Sequence, residues 1–432
     1  MKRAFTFVVA ALWSATALSG QAVTTSKFDV AGIPVIFKPV RANDVVAVRL
    51  YLRGGSANLT AANAGIEDLM LESATRGTSK YDKDAFTEKL VETGTAINSS
   101  ADYDFSVLSL QAVRQHWNEA WDLFAEAALH PTYPAAEVEV VRAQMVDAAK
   151  RIPDDPDSYV WYLADSALFV GHPYAARPTG TPSSLAAISR QALTDWHRQR
   201  FTKENLLLVV VGNVDREDLT KKIAASFGSL PTRGGSAPTL RSLGAITPDV
   251  VVVNRELPTN YIAGFFSAPP PSSADYAAMK VATDILSHRL FEEVRTKRNL
   301  SYAVSASLDN RASNFGALYV TAVEPDTTLK VMFSEVRRLQ REPLSQTDLA
   351  EEVNTFLTRF WMAQQSNMGQ AQQLGLFELL GGGWQNLARF ADAVKRVTPT
   401  DVQRVASQYM QHARFAVIGN PAKIGRPLFT SF

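Results

Sequence analysis

The chain has 432 residues, 46% of them apolar, enough for two or three domains that each build a full core. Its 44 basic and 43 acidic residues leave a formal charge of +1 with no long run of either sign, which excludes capture of nucleic acid or anionic membrane by bulk charge. The absence of cysteine removes disulfides, thiolate metal sites and cysteine nucleophiles together.

In chain order, Lys2 and Arg3 precede the apolar stretch Ala4 to Leu18 and the small-residue site Gly20-Gln21-Ala22. This predicts a secretory signal peptide over residues 1–22 and an exported, periplasmic protein. The apolar run is shorter than the ~20 residues that a membrane span needs. Residues Val46 to Leu52 alternate as a half-buried strand, and a helix is expected from Gly65 to Thr75 with Ile66, Leu69 and Met70 on one stripe. Asn98 to Val113 alternates again, as a hairpin or strand pair. Trp117 to Leu129 and Ala136 to Arg151 read as helices. Asp154-Asp155-Pro156 then breaks the run and begins another, with Pro156 in its first turn. A helical pattern through Leu193, Trp196 and Phe201 leads into the strand Leu206 to Val211, closed by Gly212-Asn213.

A linker is expected over residues 232–248, where Gly234-Gly235-Ser236-Ala237-Pro238 stands among few large apolar residues. Beyond it a helix is predicted from Ala274, capped by Ser272 or Ser273, to Lys297, with Leu286, Leu290, Phe291 and Val294 as its buried stripe. Arg295 falls in its last turn, Asn299 supplies a left-handed residue to close it, and Tyr302 is expected to start a strand region running to Val323. A helix through Val402 and Val405 and the strand Phe415 to Ile418 end at Gly419-Asn420. This second Gly-Asn pair lies 207 residues after the first, and the same step carries Asp102 onto Asp309. Such a repeat implies duplication of a whole domain rather than a solenoid. The fold class expected is α+β: two homologous domains, 23–231 and 249–432, each a mainly antiparallel sheet with helices on one face.

Several landmarks together resemble the pitrilysin/insulinase family, which includes the mitochondrial processing peptidases. They are Tyr51-Leu52-Arg53-Gly54-Gly55-Ser56, Arg76-Gly77-Thr78, Asn98-Ser99-Ser100, His172-Pro173-Tyr174, Gly180-Thr181-Pro182, and Arg289 to Arg295 followed by Leu300-Ser301-Tyr302. The resemblance implies two domains forming half of a clam-shaped peptide chamber. Active members carry a His-x-x-Glu-His motif on the first helix, with the histidines gripping zinc and the glutamate acting as general base. Those positions hold Asp68, Leu71 and Glu72 here, and the position of the third ligand falls at or next to Ala148. Of the six histidines, no two are closer than 14 residues, so no local histidine pair replaces the motif. No metal or cofactor is therefore expected on this chain; zinc is expected on a homologous partner subunit. Asp68 and Glu72 share a helix face and read from their own types as a solvated or salt-bridged pair.

The resemblance further implies that Arg295 and Tyr302 stand across from the partner's zinc and bind substrate and the tetrahedral intermediate. It also implies that Asn98, Ser99 and Ser100 present an edge strand to an extended substrate, although the residues by themselves fit a plain hairpin equally well. Gly381-Gly382-Gly383 reads as a helix-terminating turn. The function expected is a zinc-less subunit of a heterodimeric periplasmic endopeptidase acting on peptides. The alternative is a structural or peptide-binding subunit with no part in chemistry.

Overall fold

The computed structural model describes residues 24–232 and 243–432, so the expected signal peptide and the Gly234–Pro238 part of the linker lie outside the described residues. Two sheets organise the rest. The first contains β1 (Ser26–Val30), β2 (Ile33–Pro39), β3 (Val45–Arg53), β4 (Ala96–Ala101), β5 (Phe105–Val113) and β6 (Leu206–Gly212), in the order β1-β2-β6-β3-β5-β4. The second contains β7 (Asp249–Asn254), β8 (Asn260–Ser267), β9 (Val304–Leu308), β10 (Phe315–Ala322) and β11 (Arg414–Gly419), in the order β7-β11-β8-β10-β9.

Apart from β1 the two orders coincide. Each sheet has a single parallel pairing, β2 with β6 and β7 with β11, and is otherwise antiparallel. The repeat read from the sequence marks equivalent places in this topology. The Asp102 N–H donates to the Phe105 carbonyl (2.9 Å) at the end of the β4–β5 hairpin, and the Asp309 N–H donates to the Phe315 carbonyl (3.1 Å) at the end of β9–β10.

Each sheet rests one face on helices of its own half. The helices Trp117–Leu129 and Arg216–Phe227 send Trp121, Phe124 and Phe227 against Val48, Leu50 and Leu208. The helices Tyr276–Leu290 and Pro325–Arg341 cover the matching face of the second sheet. The opposite faces are covered reciprocally. Helix Asn367–Leu380, from the second half, packs Ala371, Leu374 and Phe377 onto Tyr51, Leu207 and Val209 of the first sheet. Helix Pro156–Leu168, from the first half, packs Val160 and Ala164 onto Phe265 and Ile418 of the second. This exchange corrects the half-buried reading of residues 46–52. In β3 Val46, Ala47, Val48, Leu50, Tyr51 and Leu52 are all buried, because a helix from the other half dries the face that alternation assigned to solvent.

A partly buried ion cluster ties the hairpin turns of the two halves. Arg311, beside the β9–β10 turn, pairs with Asp165 (2.9 Å) and Asp309 (2.9 Å) and lies over the Tyr103 ring (3.7 Å). The Tyr103 hydroxyl donates to Asp165 (2.7 Å), and the Ala312 N–H donates to Asp104 (3.0 Å) across the same seam.

Candidate functional site

The helix Tyr276–Leu290 starts two residues later than its sequence suggests. Neither Ser272 nor Ser273 caps it; the N-cap is Asp275, whose carboxylate is drawn away to Arg404 (2.7 Å) and the Tyr409 hydroxyl (2.9 Å). At Phe291 the α-helix gives way to a π-helical turn, Phe291–Thr296, in which the Lys297 N–H reaches the Glu292 carbonyl (2.8 Å). The i→i+5 bonds widen the turn and rotate the face that follows. Leu286, Leu290 and Val294 stay buried, but Phe291 is 44% exposed, which corrects its place on the buried stripe.

Asn299 then turns the chain with φ 52, the left-handed conformation that asparagine tolerates better than most residues. The Leu300 N–H closes back on the Val294 carbonyl (2.9 Å). Tyr302 lies in the bend after this turn rather than in a strand, since β9 begins at Val304. The return brings the pair together: the Arg295 guanidinium lies 4.0 Å from the centre of the Tyr302 ring and 4.8 Å from that of Phe291. Tyr302 is 80% exposed. Among the described residues no hydrogen bond or ion pair engages its hydroxyl or the Arg295 guanidinium. The result is a charged donor stacked on the ring of a phenolic donor, neither engaged by another described residue in a hydrogen bond or ion pair; donors of these two kinds suit a carbonyl oxygen gaining charge.

Asn98, Ser99 and Ser100 lie on β4, which among the described residues pairs only with β5 and has no strand on its outer side. They belong to the first sheet, and among the described residues no hydrogen bond or ring contact joins them to Arg295 or Tyr302. Ser99 instead donates its hydroxyl to Glu72 (2.7 Å) on the helix Ile66–Ser73.

That helix carries the positions where the family's zinc motif would stand, and they do not fit a zinc ion. Leu71, in place of the general base, is buried in the core of the first half. Asp68 and Glu72 replace the histidines. Burial, and then the charge of Glu72, push the Asp68 carboxyl up to about 7, with the Ala101 N–H opposing. Ala148 is exposed on the helix Ala135–Arg151, and the neighbouring Asp147 pairs with Arg151 (2.6 Å). Among the described residues no group of three His, Cys, Asp or Glu side chains could hold a metal ion. Sequence reasoning missed the contribution of Phe291, whose only signal is its spacing of four from Arg295, and the Ser99–Glu72 bond, for which there is no local signal.

Comparison with known proteins bears on this geometry. The profile described as "Insulinase (Peptidase family M16)" matches residues 35–176, and the one described as "Peptidase M16 inactive domain" matches residues 187–356. The chain is 24% identical over 405 residues to an uncharacterized zinc protease of Mycobacterium leprae, spanning 90% of each. Its fold is similar to the crystal structure of a peptidase M16 inactive domain from Pseudomonas fluorescens, with a TM-score of 0.85 at 20% identity, covering 92% of this chain and 98% of that one. It is also similar to the periplasmic protease PqqL of Escherichia coli (TM-score 0.77, 16% identity), where 97% of this chain aligns with 49% of the other.

Proposed function

Because this chain belongs to the insulinase (M16) peptidase family, we propose that it is the zinc-less half of a two-chain periplasmic endopeptidase and lends Arg295 and Tyr302 to the partner's metal site. The observation that carries the reading is the pair itself: two donors, stacked at 4.0 Å, with no partner among the described residues. The metal, with the water it activates, would come from a homologous subunit. This chain's residues would hold the scissile carbonyl, the guanidinium by charge and the Tyr302 hydroxyl as oxyanion donor. The open edge of β4 at Asn98–Ser100 would add an extended peptide as a further strand, through backbone bonds that need little side-chain identity. PqqL supports a half-enzyme, since a protease of twice this length matches the chain in about half its own. The apolar stretch Ala4 to Leu18 behind Lys2 and Arg3 supports export.

The test is reconstitution with a metal-bearing relative. Alone, the chain is expected to bind no stoichiometric zinc and to cleave no peptide. In the assembled pair, Tyr302→Phe is expected to lower turnover on the order of 10²–10³-fold with little change in substrate affinity, and Arg295→Ala to weaken both. If both assembled variants cleave at the parent rate, the alternative of a structural or peptide-binding subunit takes over.

A further inference from the structure

The helix Tyr276–Leu290 serves more than the turn at its end. Two cavities open in line between it and the helix Gln346–Met362. The first, about 440 Å³, runs from Phe291 and His288 to Asp284 and Arg359. The second, about 290 Å³, begins at the same Asp284 and Arg359 and ends among Phe356, Phe360, Phe377 and Phe390. The Phe291 ring that lines the first cavity also packs against Arg295 at 4.8 Å, so the trough ends one ring away from the Arg295–Tyr302 pair.

Charge sorts the two ends. Toward Phe291 the Glu352 carboxylate is engaged by His288. In the aromatic pocket two cations face one carboxylate: Arg359 stands 2.9 Å and Lys280 3.9 Å from Asp284. Burial raises the Asp284 carboxyl above its ordinary range, against the opposing pull of Lys280 and Arg359. The Arg359 side chain is 61% exposed and keeps donors to spare. Around these cations Phe390 packs within 5.7 Å of Phe360 and 5.5 Å of Phe377, leaving an apolar hollow with two converging cationic donors.

We propose that this pocket takes the C-terminal residue of a peptide, its carboxylate on Lys280 and Arg359 and a large apolar side chain among the phenylalanines. The proposal rests on the peptide-processing reading and names one end of the peptide. From Lys280 to Arg295 the helix and its π turn run about 22 Å, so a C-terminus held here lies about six or seven extended residues from the oxyanion donors.

Calorimetric titration of the mature chain alone tests it, with Ala-Ala-Ala-Phe as the free acid and as the C-terminal amide. The free acid is expected to bind, and the amide at least tenfold more weakly. Lys280→Gln is expected to weaken the free acid about fivefold, and Gln373→Trp, which fills the pocket from a half-exposed position, to abolish binding. Equal affinity of acid and amide, no binding of either, or indifference to both substitutions overturns the proposal. The measurement needs neither partner nor turnover, so its failure is distinct from a silent Tyr302→Phe.

Discussion

Tyr302 is largely exposed and, among the described residues, only the Arg295 guanidinium lies over its ring, at 4.0 Å. A contact of that kind contributes about 0.5–1 kcal/mol at an exposed site and does not use the hydroxyl. Tyr302→Phe should therefore leave the thermal midpoint within about a degree of the parent, so that a loss of turnover reports chemistry and not unfolding. Arg298, three residues from Arg295, donates to the Glu293 carbonyl (2.9 Å) and pairs with the Glu293 carboxylate, closing the turn that carries Arg295. Asp68 sets a pH dependence of its own. Its folded carboxyl, raised to about 7, binds a proton that the unfolded chain releases above the ordinary carboxylate range. The stability this contributes is full below about pH 4 and is lost as pH rises through 7. Asp104, raised to about 6 by burial, acts in the same direction over a narrower window, whereas His197, lowered by burial, opposes both. Asp68→Asn is expected to flatten the fall in thermal midpoint between pH 5 and pH 8; an unchanged slope would show that Asp68 titrates normally.

At the scale of elements, the approach of helix Asn367–Leu380 to the first sheet depends on a missing side chain. A Cβ at Gly375 would lie 2.3 Å from the Tyr51 ring, and the Tyr51 hydroxyl already reaches toward the Gln372 carbonyl (3.4 Å). Tyr51 is fully buried and cannot step aside. Gly375→Ala is therefore expected to push the helix off the sheet and cost about 1–3 kcal/mol in urea unfolding; a neutral substitution would mean that the contact is looser than it stands here. The triple glycine that follows behaves as its sequence suggests: the Gly381 and Gly383 N–H groups both return to the Phe377 carbonyl (2.9 and 3.0 Å) and end this helix.

For the whole molecule, the exchanged helices mean that neither half covers both faces of its own sheet. The Lys27–Glu378 pair (2.5 Å) and the Arg311 cluster add polar ties across the same seam. Any opening of a peptide chamber is then expected between chains rather than between the halves of this one, and thermal unfolding should show one cooperative transition. Arg311→Ala would leave Asp165 and Asp309 facing each other in a partly buried site, with Arg177 (3.4 Å from Asp165) a weak substitute. The expected loss is about 3 kcal/mol, the lower end for a broken buried pair because some solvent reaches the cluster. Two separated transitions in the parent protein would contradict this picture.

The sequence by itself determined what local patterning and spacing carry. Apolar patterning placed the helix Trp117–Leu129 and the all-apolar strand β6, the Asp154-Asp155-Pro156 break marked the start of the helix Pro156–Leu168, and the 207-residue repeat identified the equivalent hairpin ends at Asp102 and Asp309. The types at 68, 71 and 72 excluded a metal motif, because ligands and base must occupy fixed steps of one helix. Tertiary structure alone decided the rest. The burial of β3 on both faces, the exposure of Phe291 and the stacking of Arg295 on Tyr302 depend on a helix from the other half and on a π turn. Neither leaves a local signal, since one rests on contacts more than 300 residues apart and the other on a register shift of one hydrogen bond.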